Sequence, residues 1–268
     1  MSIGINMECF SGISLEERIS LMKENGFLST FCLSDAENVD FLIEKVQRAG
    51  IKFETLHAPL FKINDMWASG ENGEKAFERM ADGVRKCEKY GIPILVVHLS
   101  AGRPAPIINP DGIKRYDILM QYAKEYNVKI AYENSRCVAN LAMALEKYED
   151  AGFCWDIGHE NCFTPGMKFM PYFADKLMTV HLHDNLLELD KDLHMLPFDG
   201  LIDMEHIARM LAAADYRGTV MLEVHNNADE YENYTYADFS PAQFYKRAAE
   251  AARKLKKMRE KYLAQENI

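Results

Sequence analysis

The feature that most constrains the fold is an alternation, repeated eight times, of a short apolar run with a longer amphipathic segment. Strands covered on both faces of a parallel sheet have such continuous apolar runs. Regular strand-helix alternation is typical of α/β folds, including the (β/α)8 barrel. We therefore predict an α/β fold, a single (β/α)8 TIM barrel, with an open doubly wound sheet as the alternative. The predicted strands span 3–7, 27–33, 51–57, 94–99, 128–133, 152–156, 177–181 and 219–224.

Three segments have the sequence of a helix start. Residues 14–17 (SLEE) and 34–37 (SDAE) match the capping box, and 240–243 (SPAQ) adds a proline at the first helical position. No Gly-, Ser- or Pro-rich linker and no change of composition divides the chain. We therefore predict one domain over residues 1–268.

The net charge and the cysteine pattern limit the classes of protein to which the chain can belong. The chain has 31 Lys and Arg against 41 Asp and Glu, a net charge of −10, which opposes long-range attraction to nucleic acid. The six cysteines form no CxxC pair, and the N-terminus does not resemble a signal peptide. No apolar run approaches the roughly 20 residues that span a bilayer. We expect a cytoplasmic protein with reduced thiols that does not enter a membrane; a homo-oligomer is compatible with this sequence.

Histidines concentrate at the ends of the predicted strands. Seven of the eight lie at or just after a strand's carboxyl end, and His206 is the exception. The carboxyl ends of the strands form the catalytic face of a (β/α)8 barrel, so these side chains are expected to converge. They are His57, His98, His159, His181, His183, His194 and His225.

Three carboxylates accompany them, since Glu133 and Asp156 end predicted strands and Glu223 lies near the end of another. A charge at the end of a buried strand is costly unless it is compensated. A bound divalent cation would compensate it, and oxygen and imidazole ligands suit Mn²⁺, Co²⁺, Mg²⁺ or Zn²⁺. The alternative is a set of buried acid–histidine pairs that only stabilise the fold.

The motifs ENS (133–135), DIGH (156–159), HLHD (181–184), DLH (192–194) and LEV (222–224) resemble those of the xylose isomerase-like barrel superfamily. That superfamily includes sugar isomerases and epimerases, lyases of the inosose dehydratase type, and DNA repair enzymes of the endonuclease IV type. The resemblance covers nearly the whole chain in order. It identifies the superfamily more specifically than it identifies a substrate.

The ketose 3-epimerase branch implies one metal ion and two proton-transferring glutamates. Its ligands correspond here to Glu133, Asp156, His181 and Glu223, and the two glutamates would be the catalytic residues. Leu187 stands where that branch has a substrate-binding arginine, which puts its substrate contacts in doubt. The side chains expected to face the substrate are His57, Trp67, His98, His159, His183 and Asp184. For Trp67, local packing on its own barrel is an equal alternative to a contact with the substrate.

The endonuclease IV branch implies three zinc ions instead of one. Its nine ligands can all be matched, by His57, His98, Glu133, Asp156, His159, His181, Asp192, His194 and Glu223. Asp192 and His194 would hold the extra metal and so separate the two hypotheses. Because the chain is acidic, we favour a metal-dependent isomerase or epimerase of a small sugar or polyol that acts through an enediolate. A dehydratase, a trinuclear zinc phosphodiesterase and a non-catalytic metal-binding barrel are the alternatives.

Overall fold

The computed structural model describes residues 1–226 and 236–266, and it has strands and helices in alternation. The strands are β1 Ile3–Ile5, β2 Ser29–Thr30, β3 Lys52–Phe53, β4 Thr55–His57, β5 Ile94–Val97, β6 Lys129–Glu133, β7 Gly152–Asp156, β8 Leu177–His181 and β9 Val220–Leu222. The α-helices are α1 Leu15–Glu24, α2 Val39–Arg48, α3 Glu71–Tyr90, α4 Pro110–Glu125, α5 Val138–Lys147, α6 Ile157–Cys162, α7 Met170–Phe173, α8 Met204–Ala213 and α9 Pro241–Glu266. Two 3₁₀ helices span Ile63–Trp67 and Ala174–Lys176.

The strands pair in two sheets, with orders β3-β2-β1-β9 and β4-β5-β6-β7-β8. The pairing is parallel, with Gly4 opposite Met221 and Val96 opposite Ala131. Each of the eight predicted strands contains an observed one, but the predicted strand 51–57 is divided at Glu54. The division has a topological cause, because β3 pairs with β2 whereas β4 pairs with β5.

The described chain contains two compact units. The described residues of the first lie within Met1–Thr30, Val46–Lys52 and Trp155–Ile268. Within it α9 packs on α8 and β9, and Phe244 and Tyr245 are fully buried. A parallel bridge between Leu182 and Leu222 extends the pairing at the end of β8. The prediction of one domain over 1–268 stays a prediction.

The second unit comprises Phe31–Lys45 and Phe53–Cys154. Its helix α3 packs on α4 and on the 3₁₀ helix Ile63–Trp67. The buried guanidinium of Arg115 donates to the carbonyl oxygens of Met66 and Ala68 at 2.9 and 2.6 Å. These bonds fix the chain as it leaves the 3₁₀ helix, so the long loop after β4 is an ordered part of this unit.

Two of the three predicted helix starts are confirmed. Ser14 accepts the Glu17 amide at 3.1 Å, and Ser240 exchanges hydrogen bonds with Gln243. The start predicted at Ser34 is wrong, because α2 begins at Val39. The Ser34 amide instead donates to the carbonyl oxygen of His57 at 2.7 Å, which continues the strand pairing. None of the described helices combines the length and apolar character needed to cross a membrane.

Candidate metal and active site

In the second unit, two histidines contact the same oxygen of one glutamate. His57 ends β4, His98 directly follows β5 and Glu133 ends β6, so adjacent parallel strands deliver all three. Nε2 of His57 lies 3.1 Å from Glu133 Oε2, and Nε2 of His98 lies 3.0 Å from that same atom. All three residues are buried. We call this group the Glu133 cluster.

The hydrogen bond of His57 Nδ1 indicates which ring nitrogen of this histidine carries a proton. Its Nδ1 lies 2.7 Å from the carbonyl oxygen of Ala58, and a carbonyl only accepts, so Nδ1 carries a proton. In a neutral imidazole Nε2 then has a lone pair, and that lone pair faces a carboxylate oxygen of Glu133. Two acceptors at 3.1 Å need a proton or a cation between them. Metal-bound histidines characteristically donate their second N–H to a carbonyl or carboxylate in this way.

In the first unit, two aspartates and three histidines form a larger group of contacting side chains. Asp156 ends β7 and caps α6 by accepting the His159 amide at 2.6 Å. Oδ2 of Asp192 lies 3.0 Å from Nε2 of His159 and 3.1 Å from Nε2 of His194. His183 is fully buried, and its Nε2 lies 3.1 Å from each oxygen of Asp156. We call Asp156, His159, His183, Asp192 and His194 the Asp192 cluster.

The charges in this cluster favour an ion pair between Asp192 and His194. Burial opposes ionisation of Asp192, but His194 and His159 hold its pKa well below the usual value. Burial likewise opposes the charge on His194, but Asp192 raises its pKa to about 10. His194 Nδ1 donates to the carbonyl oxygen of Glu223 at 2.9 Å, so both ring nitrogens of a charged His194 have an oxygen acceptor.

His181 and Glu223 form a separate contact in the first unit. His181 ends β8 and Glu223 directly follows β9, and His181 Nδ1 lies 3.0 Å from Glu223 Oε2. One donor atom from each of His183, His194 and Glu223 lies within 4.8 Å of the others, which suits a shared cation. Glu223 thus contacts His181 directly and lies beside the Asp192 cluster.

Trp67 and Asp184 have contacts of a different kind. The Trp67 side chain is buried, its indole N–H donates to the carbonyl oxygen of Leu99 at 2.7 Å, and its ring lies 5.2 Å from that of Tyr116. Asp184 is fully buried, and its carboxylate accepts the backbone amides of four residues. The substrate-binding roles of both residues stay predictions.

Two further residues near the Asp192 cluster have no predicted ligand or substrate role. The ring of His225 meets His194 edge-on at 4.8 Å, and burial together with His194 lowers the pKa of His225 to about 4. Its position after the last strand is the signal that places it there. Phe163 stacks on His159 at 4.6 Å. No sequence pattern pointed to Phe163.

Comparison with known proteins identifies the family. A family model described as "Xylose isomerase-like TIM barrel" matches residues 33–260. The chain belongs to this family. The predicted (β/α)8 fold and the predicted superfamily are therefore confirmed.

Known proteins similar to this chain include one sequence relative and two solved structures. A protein of Sinorhizobium fredii named "Uncharacterized protein y4fM" is 25% identical over 290 residues, covering 91% of this chain and 89% of its own. D-Psicose 3-epimerase with D-tagatose from Clostridium cellulolyticum H10 is similar with a TM-score of 0.76 at 13% identity, covering 97% of this chain and 99% of that one. IolI protein with a bound zinc atom has a TM-score of 0.73 at 17% identity, covering 98% and 99%. At these identities the two structures show the shared fold.

Proposed function

We propose that this xylose isomerase-like barrel is a divalent-metal-dependent isomerase or epimerase of a small sugar or polyol. The observation that carries the proposal is the contact of His181 Nδ1 with Glu223 Oε2 at 3.0 Å, which brings together an imidazole and a carboxylate from two strand ends. This donor set fits a cation. Similar barrels, among them a D-psicose 3-epimerase and a zinc-bound IolI protein, support the same assignment.

The residues proposed to hold the ion are Glu133, Asp156, His181 and Glu223, as the sequence resemblance implies. Carboxylates and imidazole suit Mn²⁺, Co²⁺, Mg²⁺ or Zn²⁺. When bound, such an ion polarises a carbonyl group and stabilises developing enediolate charge by several kcal/mol. The contact of His181 with Glu223 supports the pairing of these two as ligands.

Proton transfer is assigned to the two glutamates. Glu133 removes the proton on the carbon next to the substrate carbonyl, and Glu223 returns a proton on the other face, or the reverse. His57 and His98 both contact Oε2 of Glu133, which orients its carboxylate. A positioned carboxylate base contributes roughly 10² to 10⁴ in rate. If the enediolate carries a leaving group on the next carbon, the same residues would eliminate water, so the dehydratase is a variant of this chemistry.

One observation supports the phosphodiesterase as a second candidate. Asp192 lies between His159 and His194 at 3.0 and 3.1 Å, and these are three of the nine side chains that the endonuclease IV pattern requires. The net charge of −10 opposes binding to a polyanion. A cytoplasmic location, a small sugar or polyol as the partner, and a homo-oligomer stay predictions.

Metal removal and metal counting test the proposal. We expect chelation of the purified protein to abolish interconversion within a panel of ketoses and inositol-derived ketones, and Mn²⁺ or Co²⁺ to restore it. The expected content is one catalytic ion per chain by elemental analysis. Conversion that persists in the fully metal-free protein would contradict the proposal. Three tightly held zinc ions together with cleavage of abasic DNA would establish the phosphodiesterase, and bound metal with neither activity would establish the non-catalytic barrel.

A further inference from the structure

One buried carboxylate organises the segment that follows β8. Asp184 Oδ1 accepts the amides of Asn185 and Ile202, both at 2.9 Å. Its Oδ2 accepts the amides of Phe198 and Gly200, both at 3.0 Å. A single side chain thus binds the beginning and the end of segment 185–202.

Backbone hydrogen bonds of Asp184 also hold segment 185–202 in place. Asp184 and Met195 form an antiparallel bridge, with N···O distances of 2.8 and 2.9 Å. The Leu201 amide also donates to the carbonyl oxygen of Asn185 at 2.8 Å. Gly200 is required for this close approach, because a Cβ there would lie 2.5 Å from Asp184 Oδ1.

Segment 185–202 carries Asp192 and His194 of the Asp192 cluster. Asp192 contacts His159 and His194 at about 3 Å, and His194 is tied to the carbonyl oxygen of Glu223 at 2.9 Å. These contacts need the segment to return to the same place, since hydrogen bonds weaken steeply outside a narrow range of distance and angle. The antiparallel bridge puts Met195 opposite Asp184, so His194 is next to an anchored residue.

We propose that Asp184 is a positioning residue: by binding four amides of segment 185–202 it places Asp192 and His194, and it does not contact the substrate. Two carboxylate oxygens that each accept two amides have little capacity left for a sugar hydroxyl. The inference concerns how the Asp192 cluster is assembled and does not depend on which reaction the protein catalyses.

The test compares Asp184→Asn, Gly200→Ala and the control Glu188→Gln in the protein as purified. Asparagine turns one accepting oxygen into a donor that faces amide donors, whereas Gly200→Ala displaces the same contacts without a change of charge. Glu188 belongs to the same segment, and its half-exposed side chain pairs with Lys191, so its substitution removes an equal charge. Amide hydrogen exchange and the rate of histidine carbethoxylation, both followed by mass spectrometry, are the readouts.

We expect exchange at the amides of 198, 200 and 202 to accelerate about tenfold or more in Asp184→Asn and Gly200→Ala. Carbethoxylation of His194 should rise several-fold relative to His206, which lies in α8 and serves as an internal reference. Glu188→Gln should match the unsubstituted protein in both readouts. The strands of the second unit should keep their protection.

Exchange and His194 reactivity within twofold of the unsubstituted protein in Asp184→Asn would overturn the proposal. If that variant unfolds as a whole, Gly200→Ala decides the question by the same criteria. Global unfolding of both variants would show that Asp184 stabilises the whole fold and does not specifically position the segment, and it would also overturn the proposal. Loss of sugar conversion alone, with both readouts unchanged, would point to direct substrate contact.

Discussion

Nε2 of His183 lies 3.1 Å from each carboxylate oxygen of Asp156, so one imidazole edge is shared between both oxygens of the proposed ligand. The His183 ring is also closely packed against other residues. The His183 ring stacks on His194 at 4.2 Å with an interplanar angle of 19°. A Cβ on Gly158 would lie 1.8 Å from Cε1 of His183. The glycine of the DIGH motif therefore leaves the space that the His183 ring fills.

The first prediction concerns this space. Gly158→Ala should lower the free energy of unfolding by about 1–3 kcal/mol, because the new methyl overlaps the His183 ring. In a His183→Ala background the same change should be neutral or stabilising, since alanine is the better helix former by about 1 kcal/mol. Urea denaturation of the two single variants and the double variant measures the coupling. Equal costs of Gly158→Ala in both backgrounds would show that the two residues are not coupled.

A second prediction concerns Trp67. Trp67→Phe removes the indole N–H that donates to Leu99 at 2.7 Å and leaves a buried carbonyl oxygen without that donor. We expect a loss of about 1–3 kcal/mol in the free energy of unfolding. Phe61→Ala in the same loop is the control, because Phe61 is 69% exposed and should change stability by less than about 0.5 kcal/mol. A KM that rises in Trp67→Phe with unchanged stability would instead support stacking on the substrate.

A third prediction concerns Glu160, which is buried beside the Asp192 cluster. Its Oε2 accepts the indole N–H of Trp155 at 3.0 Å and the amide of Phe169 at 3.1 Å, and its Oε1 lies 3.0 Å from Lys168 Nζ. Glu160→Gln should cost about 1–3 kcal/mol, because its amide group cannot accept at both positions. Lys168→Met should cost less than about 1 kcal/mol, since the Lys168 side chain is 47% exposed. Thermal denaturation of the two variants checks the order, and a larger loss in Lys168→Met would contradict it.

Much of the fold could be predicted from the sequence because buried strands are continuous apolar runs in the sequence. Strands β7 and β8 were predicted with their observed bounds, since both are apolar runs that end at a polar residue, Asp156 or His181. The division of strand 51–57 at Glu54 could not be predicted, because it depends on which neighbour each half pairs with. Ser34 has the sequence of a cap, but its amide is used by the carbonyl oxygen of His57.

The sequence predicted which residues belong to the candidate site better than it predicted the contacts among them. Histidines at strand ends pointed to His57 and His98, and the structure brings both to Glu133. The sequence contained no signal that Asp184 would bind four amides, because those partners lie up to 18 residues further along the chain. Such contacts depend on how the loop folds back, which strand-end motifs do not encode.

Solvent deuterium exchange tests the central claim most directly, which is proton transfer by two glutamates at a metal site. Each ketose of the panel is incubated in D₂O with the metal-loaded protein, and NMR follows deuterium on the carbon next to the carbonyl. We predict incorporation that falls at least about 10²-fold in Glu133→Gln and in Glu223→Gln, the lower end of what a positioned base supplies. Glu188→Gln should incorporate deuterium at the unsubstituted rate. Undiminished incorporation in both glutamate variants would contradict the account.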